Sequence, residues 1–310
     1  MKPRILLTGK SGQVGSELCR LLPGIGELFA FDHRELDLAQ FDAIRRTIRD
    51  AHPDLIINAA AYTQVDRAEN DEAAAMAINA EAPARLAEEA KKIGAALVHY
   101  STDYVFDGCK NSPYVEDDVP HPLSVYGKSK LAGELAIRAS GVPHLILRTA
   151  WVYASAGHNF LLTILRLSTQ REELRIVCDQ RGAPTWSREI ASGTVRILAS
   201  LANQGWNPDS FAAIAGTYHM TAAGETSWHQ FAQAILEESS SLSHPIPWFT
   251  SATAGLPQLT RRITAITTAE YPTPARRPAY SVLSNSRLQQ SFGFHLPGWR
   301  EQLHSLFHTA

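Results

Sequence analysis

The first half of the chain alternates short apolar runs with longer segments whose apolar residues recur every three or four positions. Short runs of this kind predict buried strands, and the periodic segments predict helices that pack one face against a sheet. The predicted strands cover residues 4–8, 28–31, 54–58, 95–100 and 144–149. The predicted helices cover residues 13–22, 41–51, 72–93 and 125–139.

Strands that alternate with helices of this length imply parallel strands joined by right-handed crossovers. The sequence therefore predicts an α/β fold, a Rossmann-type doubly wound parallel sheet, over residues 1–150. Beyond Trp151 the alternation loosens into turn-rich stretches at 154–159, 178–185 and 255–278, with helices expected near 160–170, 188–201 and 227–238. We expect residues 151–310 to form mainly a smaller C-terminal substrate-binding domain over the carboxyl edge of the sheet, with some segments returning to the first domain.

Composition and charge narrow the class of protein. The 310 residues are 45% hydrophobic and 19% charged, a balance that favours a folded core. The formal charge is −2, so no basic excess favours nucleic-acid binding, and the apolar runs are too short to cross a membrane. Three widely spaced cysteines without a CxxC pair indicate a reducing compartment. These features predict a cytoplasmic enzyme without a nucleic-acid or membrane partner.

The first candidate site is a glycine-rich turn between the first predicted strand and the first predicted helix. Gly9, Gly12 and Gly15 have the G-x-x-G-x-x-G spacing, and Gln13 and Val14 lie within it. Glycines let the backbone approach a pyrophosphate, and the free N–H groups of the following helix attract its charge. This context favours a dinucleotide-binding loop over an ordinary βα turn.

Asp32 is the candidate for contact with the adenosine ribose. It ends the second predicted strand, 17 residues after Gly15, close to the ~20 expected for a ribose-binding acid. A carboxylate there disfavours a 2′-phosphate, whereas the adjacent His33 and Arg34 could hold one. The choice between NADH and NADPH therefore stays open, as does a purely structural role of Asp32 in a turn.

Tyr126 and Lys130 form a Tyr-x-x-x-Lys motif within a predicted helix. Residues four apart share one helix face, so we expect the ammonium of Lys130 to lower the pKa of the phenol and make it a useful proton donor. The alternative is a tyrosine packed against a lysine stem on a solvated face. Thr102 favours the catalytic interpretation, because it follows a predicted strand at the carboxyl edge, where its hydroxyl could bind a substrate carbonyl.

Together these motifs resemble the extended short-chain dehydrogenase/reductases, and more narrowly the dTDP-4-dehydrorhamnose reductases. The resemblance runs through nearly all of the chain. It rests on residues 12–15, 58–61, 101–106, 126–134, 148–153, 182–185 and 271–278.

The resemblance implies an NAD(P)H-dependent oxidoreductase that reduces the C4 ketone of dTDP-4-dehydro-L-rhamnose, giving dTDP-L-rhamnose for cell-surface polysaccharides such as lipopolysaccharide O-antigen. It makes Tyr126 the proton donor, Lys130 its electrostatic partner and Thr102 the residue that orients the carbonyl. It places Asp103 and Trp151 beside the sugar. Around NADPH or NADH it places Gly9, Gly12, Gln13, Val14, Gly15, Asp32, Asp37, Leu38, Ala61, Tyr62, Thr63 and Tyr100, together with Tyr126 and Lys130.

Related functions fit less well or stay open. Nucleotide-sugar 4,6-dehydratases have Thr-Asp-Glu where this chain has Thr102-Asp103-Tyr104, and elimination of water needs that glutamate. A reductase of another dTDP-keto sugar remains an alternative. So does a non-catalytic subunit like the regulatory subunit of methionine adenosyltransferase, which resembles this same family. The presence of Thr102, Tyr126 and Lys130 favours a reductase.

The sequence predicts no resident metal. Some members of the resembled family bridge a homodimer through Mg²⁺ bound by glutamates. Here Glu17 matches one such position, but Arg188 and Arg300 occupy the others, and arginine cannot ligate a cation. A homodimer is thus the candidate assembly, without a metal bridge. His304 and His308 have the i, i+4 spacing of two metal ligands, but no third ligand is evident, so we expect a surface helix.

Two arginine pairs are candidates for contact with the substrate diphosphate. Arg276 and Arg277 lie in the segment that matches the family, and either role, diphosphate binding or solvated surface, is open. The residues 261–262 are expected on the surface. Gln180 and Arg181 are further loop candidates.

Overall fold

The computed structural model describes residues 2–203, 206–242, 244 and 246–308. The strands are β1 (Arg4–Thr8), β2 (Glu27–Phe31), β3 (Leu55–Asn58), β4 (Ala96–Thr102), β5 (His144–Thr149), β6 (Val152–Tyr153), β7 (Glu173–Val177), β8 (Arg181–Gly182), β9 (Thr185–Trp186), β10 (Gly216–His219), β11 (Thr226–Ser227) and β12 (Arg262–Ile266). The helices are α1 (Gln13–Leu21), α2 (Phe41–Ala51), α3 (Val65–Ala68), α4 (Glu72–Met76), α5 (Ala82–Ile93), α6 (Val125–Ser140), α7 (Phe160–Ser168), α8 (Ser187–Asn203), α9 (Pro208–Ala213), α10 (Trp228–Ser241), α11 (Pro247–Thr253), α12 (Ser286–Phe292) and α13 (Trp299–His308).

Six strands form one parallel sheet in the order β10-β5-β4-β3-β1-β2. The chain runs outward from β1 to β2 and then crosses back to β3, so the strand order reverses between β1 and β3. In a doubly wound sheet, ligands bind outside the carboxyl ends of the strands at this reversal. The predicted doubly wound parallel sheet is confirmed.

Both faces of this sheet are covered by helices. Leu6 and Leu97 belong to a buried cluster on one face with residues of α2, α5 and α6, whereas Leu7 and Val98 belong to a cluster on the other face with residues of α1 and α8. A sheet buried on both faces needs strands that are apolar throughout. This requirement explains why the apolar runs of the first half predicted its strands within one or two residues.

Two details of the first half differ from the prediction. β4 continues to Thr102, two residues beyond the predicted end, so the candidate Thr102 ends a strand rather than following one. The predicted helix over residues 72–93 is continuous, but a π-helical turn, Ala77–Glu81, separates α4 from α5. Such turns insert an extra residue and often occur at functional sites.

The second half contains more strand than predicted. β10 pairs with β5 at the edge of the main sheet, and α8 packs against α1. The stretches 178–185 and 255–278, predicted as turns, contain β8 and β12, which pair with β11 and β7. Short two-stranded ribbons between prolines and glycines leave only a weak periodic pattern, which is why the sequence did not reveal them.

Residues beyond β5 also build a hydrophobic cluster of their own, here called the second-half cluster. It unites residues of α7, α10 and α13, among them Leu161, Phe231, Leu306 and Phe307. Within the described part of the chain, no helix combines the length and apolar character that a membrane span requires.

Candidate active site

The glycine-rich turn leads from β1 into α1 at the reversal point of the sheet. Gly9 has φ +76°, and a Cβ there would lie 2.7 Å from the amide nitrogen of Ala60. A Cβ on Gly15 would lie 2.0 Å from the carbonyl oxygen of Gly9. Neither position has room for a side chain. Gly12, the N-cap residue before α1, has no side chain to cap the helix, so the first N–H groups of α1 can bind an anion.

Asp32 lies directly after β2 and stabilises a turn there. Its Oδ1 accepts hydrogen bonds from the N–H groups of Arg34, at 2.8 Å, and Glu35, at 3.2 Å. These hydrogen bonds, of which the bond from Arg34 has the larger effect, hold the pKa of the Asp32 carboxyl below its usual value. Both bonds use Oδ1, so Oδ2 can still accept a hydrogen bond from a ligand hydroxyl.

Lys10 in the glycine-rich turn is a nearby cation that the sequence analysis did not single out. Its Nζ donates a hydrogen bond to Glu35 Oε1 at 2.7 Å. That bond, with the nearby charges of Glu35 and Asp32, raises the pKa of the lysine. The predicted cofactor residues Asp37 and Leu38 follow a few positions later in the chain. Asp37 Oδ1 accepts a hydrogen bond from the Ala39 N–H at 3.0 Å, and Leu38 is buried.

The loop of residues 61–63, which follows β3, is held against α6 by Asn79. Asn79 Oδ1 accepts from the Tyr62 N–H at 2.9 Å, while its Nδ2 donates to the Tyr62 carbonyl and to Ser129 Oγ, both at 3.0 Å. The π-helical turn carries Asn79, which is 1% exposed. The sequence analysis missed this residue, although a lone asparagine in an alanine-rich helix was a usable indication.

Tyr126 lies in the first turn of α6, beside the end of β4. Ser124 Oγ caps the helix by accepting from the Gly127 N–H at 3.2 Å. A Cβ on Gly127 would lie 2.3 Å from the Tyr104 carbonyl oxygen, so glycine allows α6 to approach the segment after β4. The rings of Tyr104 and Tyr126 meet edge to face with centroids 5.5 Å apart.

The environment of Tyr126 keeps its phenol protonated. Burial raises the pKa of Tyr126 to about 12, although a hydrogen bond with Thr102 opposes part of this effect. Lys130 Nζ instead donates to the Tyr100 carbonyl at 2.6 Å. The pKa of Tyr126 thus lies above its usual value rather than below it as expected, because burial outweighs the effect of the Lys130 ammonium, which turns toward β4. Burial also lowers the pKa of Lys130 to about 8.

Lys130 ends a chain of buried polar side chains that crosses three strands. Thr8 Oγ1 donates to Asn58 Oδ1 at 2.7 Å, Asn58 Nδ2 lies 3.0 Å from His99 Nδ1, and His99 Nε2 lies 3.3 Å from Lys130 Nζ. All four side chains belong to residues at most 2% exposed. The sequence analysis missed His99. A histidine inside an otherwise apolar strand was the available indication.

Thr102 and Asp103 form the polar end of β4. Thr102 Oγ1 donates to Asp103 Oδ1 at 3.0 Å, whereas Asp103 Oδ2 is buried without a hydrogen-bond partner among the described residues. Burial raises the pKa of Asp103 to about 6, and the nearby hydroxyls of Ser281 and Thr102 oppose this effect. A buried carboxylate oxygen without a partner can accept a hydrogen bond from a ligand hydroxyl.

The predicted cofactor residue Tyr100 reaches this site through its backbone. Its carbonyl accepts the hydrogen bond from Lys130, while its ring belongs to the buried cluster with α1 and α8 and its hydroxyl lies 2.7 Å from Thr194 Oγ1. Gln13 uses its side-chain Oε1 to accept from Asn159 Nδ2 at 3.1 Å, which connects the glycine-rich turn to α7.

Trp151 follows β5 and is held in an unusual conformation. Its φ of +47° lies in the left-handed region, which is rare for a bulky residue and often marks a functional position. Its ring stacks on Trp228 with centroids 3.5 Å apart and planes 5° apart. A Cβ on Gly182 would lie 2.4 Å from the Trp151 ring, so the glycine is needed for this close approach.

A cavity of about 350 Å³ adjoins this aromatic pair. Phe160 and Trp228 offer aromatic surface, and Arg171, Arg175 and Arg277 offer positive charge. Aromatic rings with several guanidinium groups suit a base together with a diphosphate.

The cavity connects to Tyr126 through Arg277. The Arg277 guanidinium pairs with Asp66 at 2.8 Å and interacts with Tyr104, the residue whose ring contacts Tyr126. Of the other candidates, Gln180 lines the cavity and accepts from Trp228 Nε1 at 3.2 Å, whereas Arg181 pairs with Glu225 at 2.5 Å.

A larger surface groove, of about 560 Å³, lies between residues 222–225 and 282–295. Among the residues that the structure describes, those that line this groove include no lysine, no arginine and none of the predicted site residues. The smaller cavity, which Arg277 connects to Tyr104, is therefore the better candidate for binding the charged part of a ligand.

The fold and the site define a class. A glycine-rich turn at the reversal point of a parallel sheet, with a tyrosine and a lysine four residues apart on the adjoining helix, is the arrangement of a dinucleotide-dependent short-chain dehydrogenase/reductase.

Comparison with known proteins identifies the family. The family model for the RmlD substrate binding domain matches residues 1–310. The chain is 48% identical to the dTDP-4-dehydrorhamnose reductase of Burkholderia thailandensis, over 96% of this chain and 95% of the relative. It is 42% identical to that of Escherichia coli strain K12, over 99% of each chain. The chain belongs to the dTDP-4-dehydrorhamnose reductase family, and the prediction of an oxidoreductase of this family is confirmed.

Solved structures agree with this assignment. The dTDP-4-dehydrorhamnose reductase of Bacillus anthracis, solved in complex with NADP, superposes with a TM-score of 0.87 at 31% identity over 100% of both chains. The UDP-glucose 4-epimerase of Thermus thermophilus, solved with NAD, has a TM-score of 0.75 at 18% identity over 99% of both chains and shares the fold alone.

Proposed function

We propose that this protein reduces the C4 ketone of dTDP-4-dehydro-L-rhamnose to dTDP-L-rhamnose with NADPH or NADH. One observation carries the proposal: at the carboxyl edge of the sheet, Tyr126 contacts Thr102 at the end of β4, and Lys130 of the same helix donates to the Tyr100 carbonyl of that strand. The names of the relatives and the NADP complex of the Bacillus anthracis structure support it.

The residues around the glycine-rich turn fit a dinucleotide. The uncapped start of α1 would bind the pyrophosphate through Gln13 and Val14 N–H groups, in a cradle that only glycine can form. Asp32 Oδ2 would accept from the adenosine ribose. The loop of residues 61–63, fixed by Asn79, would line the remaining groove. When bound, the reduced nicotinamide supplies a hydride to the carbonyl carbon.

Tyr126 would donate the proton that the carbonyl oxygen needs as its carbon is reduced. A phenol with a pKa of about 12 is fully protonated at neutral pH, so Tyr126 carries the proton that it would donate. Loss of that proton leaves a phenolate, which the ammonium of Lys130 stabilises from the next helical turn. Thr102 would turn its hydroxyl from Asp103 to the carbonyl oxygen, so that both hydroxyls stabilise the developing charge.

The cavity would hold the nucleotide end of the substrate. Arg277 and its neighbouring arginines would bind the diphosphate, and the Trp151–Trp228 stack would flank the sugar. Asp103 Oδ2, the unpartnered buried oxygen, would accept from a sugar hydroxyl. Because this oxygen is held in one place, it can bind a sugar hydroxyl only in one orientation. It could therefore distinguish sugars that differ in one stereocentre.

We place this reaction in the cytoplasm, because Cys19, Cys109 and Cys178 are all free thiols and Cys109 is exposed. A homodimer stays a prediction. The expected absence of a metal bridge is consistent with Arg300, which pairs with Glu237, and with Arg188, which packs over the Trp186 ring.

Nicotinamide absorbance tests the reaction directly. Purified protein is mixed with NADPH, then separately with NADH, and with dTDP-4-dehydro-L-rhamnose generated in situ. We expect cofactor oxidation in step with formation of dTDP-L-rhamnose. Oxidation only with a different dTDP-keto sugar would establish the alternative reductase. Cofactor binding without oxidation by any keto sugar would instead support a non-catalytic role.

Asp32→Asn is expected to move cofactor preference toward NADPH. The amide keeps an oxygen that can accept from the Arg34 and Glu35 N–H groups, so the turn survives, but the charge that opposes a 2′-phosphate is lost. With Lys10 close by, we expect kcat/KM for NADH to fall about tenfold or more relative to that for NADPH. Asp42→Asn, an exposed acid of α2, is the matched control. An unchanged ratio would show that Asp32 does not contact the ribose.

A further inference from the structure

Three side chains that could ligate a metal ion lie beside the second-half cluster, away from the candidate active site. His304 and His308 extend from α13, and Glu238 extends from α10. Glu238 lies ten residues along α10 from Trp228, about 15 Å from the cavity end of that helix. The expectation that no third ligand accompanies the two histidines is therefore wrong.

The separations of the three donor atoms fit one small cation. Glu238 Oε2 lies 3.1 Å from His304 Nδ1 and 3.3 Å from His308 Nε2. All three donor atoms lie within 4.8 Å of one another. Tetrahedral zinc with bonds of about 2.0–2.1 Å holds its ligand atoms about 3.3 Å apart. The carboxylate oxygen is thus already at the distance from each nitrogen that a shared zinc ion requires.

The scaffold around these side chains is fixed. The opposite face of α13 contributes Leu303, Leu306 and Phe307 to the second-half cluster. Glu238 is largely buried, with 12% of its side chain exposed, whereas His304 is 61% exposed. Arg300, the nearest cation on α13, is paired with Glu237. A metal would therefore meet a pre-positioned carboxylate and two imidazoles reachable from solvent.

We propose that Glu238, His304 and His308 form a Zn²⁺ site that joins α13 to α10. Two imidazoles and one carboxylate are a ligand set that zinc accepts, with water in the fourth position. The ion would replace the hydrogen bonds that both histidines make to one carboxylate oxygen, and would stabilise the packing of α13.

Zinc binding to the untagged, full-length protein tests this proposal after chelator treatment and dialysis. Calorimetric titration with ZnCl₂ is expected to give one site with a Kd tighter than about 10 µM. Co²⁺ is expected to give the visible absorption of tetrahedral coordination. Zn²⁺ should raise the Tm, because the ion binds only the folded site.

Three variants and one matched control decide the outcome. His304→Ala, His308→Ala and Glu238→Gln are each expected to weaken Zn²⁺ binding by about tenfold or more and to abolish the Tm increase. His121→Ala removes another exposed histidine beside a carboxylate, Asp107, and should leave both readouts unchanged. Wild-type affinity in all three site variants, or no saturable binding in the wild type, would overturn the site.

A separate observation concerns His99, whose tautomer is set by its neighbours. The Ala60 N–H donates to Asn58 Oδ1 at 3.2 Å, so the Nδ2 group of Asn58 faces His99 Nδ1. An amide NH₂ can only donate, which makes Nδ1 an acceptor. The hydrogen-bond network therefore places the proton of the neutral imidazole on Nε2, the nitrogen that faces Lys130.

An Nε2–H and an ammonium cannot hydrogen-bond each other, because both only donate, whereas a neutral amine can accept. We infer that His99 is a positioning residue that favours the neutral form of Lys130 and so limits the pH range in which this lysine keeps its charge. The inference rests on the proposed function.

The charged groups around Lys130 do not favour its neutral form as His99 does. Glu134, one turn along α6, favours the charged lysine. Its carboxylate is bound by Arg148, at 2.8 and 2.7 Å, and by Arg138, at 2.6 Å. Tyr126 on the same face stays neutral, because its pKa is about 12. His99 can thus be replaced without removing a member of these ion pairs.

His99→Leu and His99→Phe test this role through pH profiles. Both remove the Nε2–H, so the apparent pKa of the alkaline limb of kcat should rise by about half a unit or more, with KM changed less than about threefold. The pH dependence of NADPH binding, measured without substrate, should shift likewise, and it reports on Lys130 even if the substrate assignment fails. Folding is checked by Tm. Folded variants with unshifted profiles would overturn the role of His99.

Discussion

Tyr126→Phe is expected to lower kcat for the reduction of dTDP-4-dehydro-L-rhamnose by about 10²-fold or more, because a general acid contributes on this scale. The phenylalanine ring can keep the edge-to-face contact with Tyr104, so the variant loses the hydroxyl and little else. NADPH affinity should change by less than about threefold, since the proton donor acts on the substrate carbonyl. Steady-state rates and cofactor fluorescence measure the two quantities.

Tyr114→Phe is the matched control for this variant. Tyr114 is buried, and its hydroxyl donates to Asp107 at 2.8 Å, but its ring stacks on Phe106 in a separate cluster. It should keep kcat within about threefold of the wild type. If Tyr126→Phe did the same, Tyr126 would not be the proton donor, and Thr102 or Asp103 would be examined next.

The positions of the candidate residues could be predicted where one strand or helix fixes them. The carboxyl edge of the sheet follows from the alternation of strands and helices, and it places the glycine-rich turn and Thr102 on the same side. Helical spacing also predicted that Tyr126 and Lys130 share a face. It could not predict the direction of Lys130 Nζ, because this depends on the Tyr100 carbonyl and His99 across the sheet.

The contacts that the sequence did not predict join different elements of the structure. Asn79 reaches the loop after β3 because a π-helical turn reorients it, and such a turn has no dependable sequence pattern. Arg277 is 211 positions from Asp66, its ion-pair partner. Glu238 completes the histidine pair from a different helix. Periodicity describes one element at a time, so these contacts could only come from the tertiary structure.

Lys130→Met is expected to lower kcat by about 10²–10³-fold, the scale of removing one preorganised charge from a developing anion. Methionine fills similar space, but it cannot stabilise the phenolate that forms when Tyr126 gives up its proton. The Lys130 pKa of about 8 also fixes the sign of the pH dependence. Below pH 8 the lysine is charged and the wild-type rate should be high, and the rate should fall as pH rises through 8.

Lys130→Met also shows whether Lys130 or Tyr126 causes the fall in kcat above pH 8, which we call the alkaline limb. Tyr126 remains protonated until far higher pH, because its pKa is about 12. Lys130→Met should therefore have a low rate that is flat across pH 7–9, measured as kcat in overlapping buffers of equal ionic strength. Lys128→Met, an exposed lysine two residues earlier on α6, should keep both the rate and the limb. A limb near pH 8 that persisted in Lys130→Met would have to come from the substrate or another group, and the assignment of Lys130 as the stabilising cation would fail.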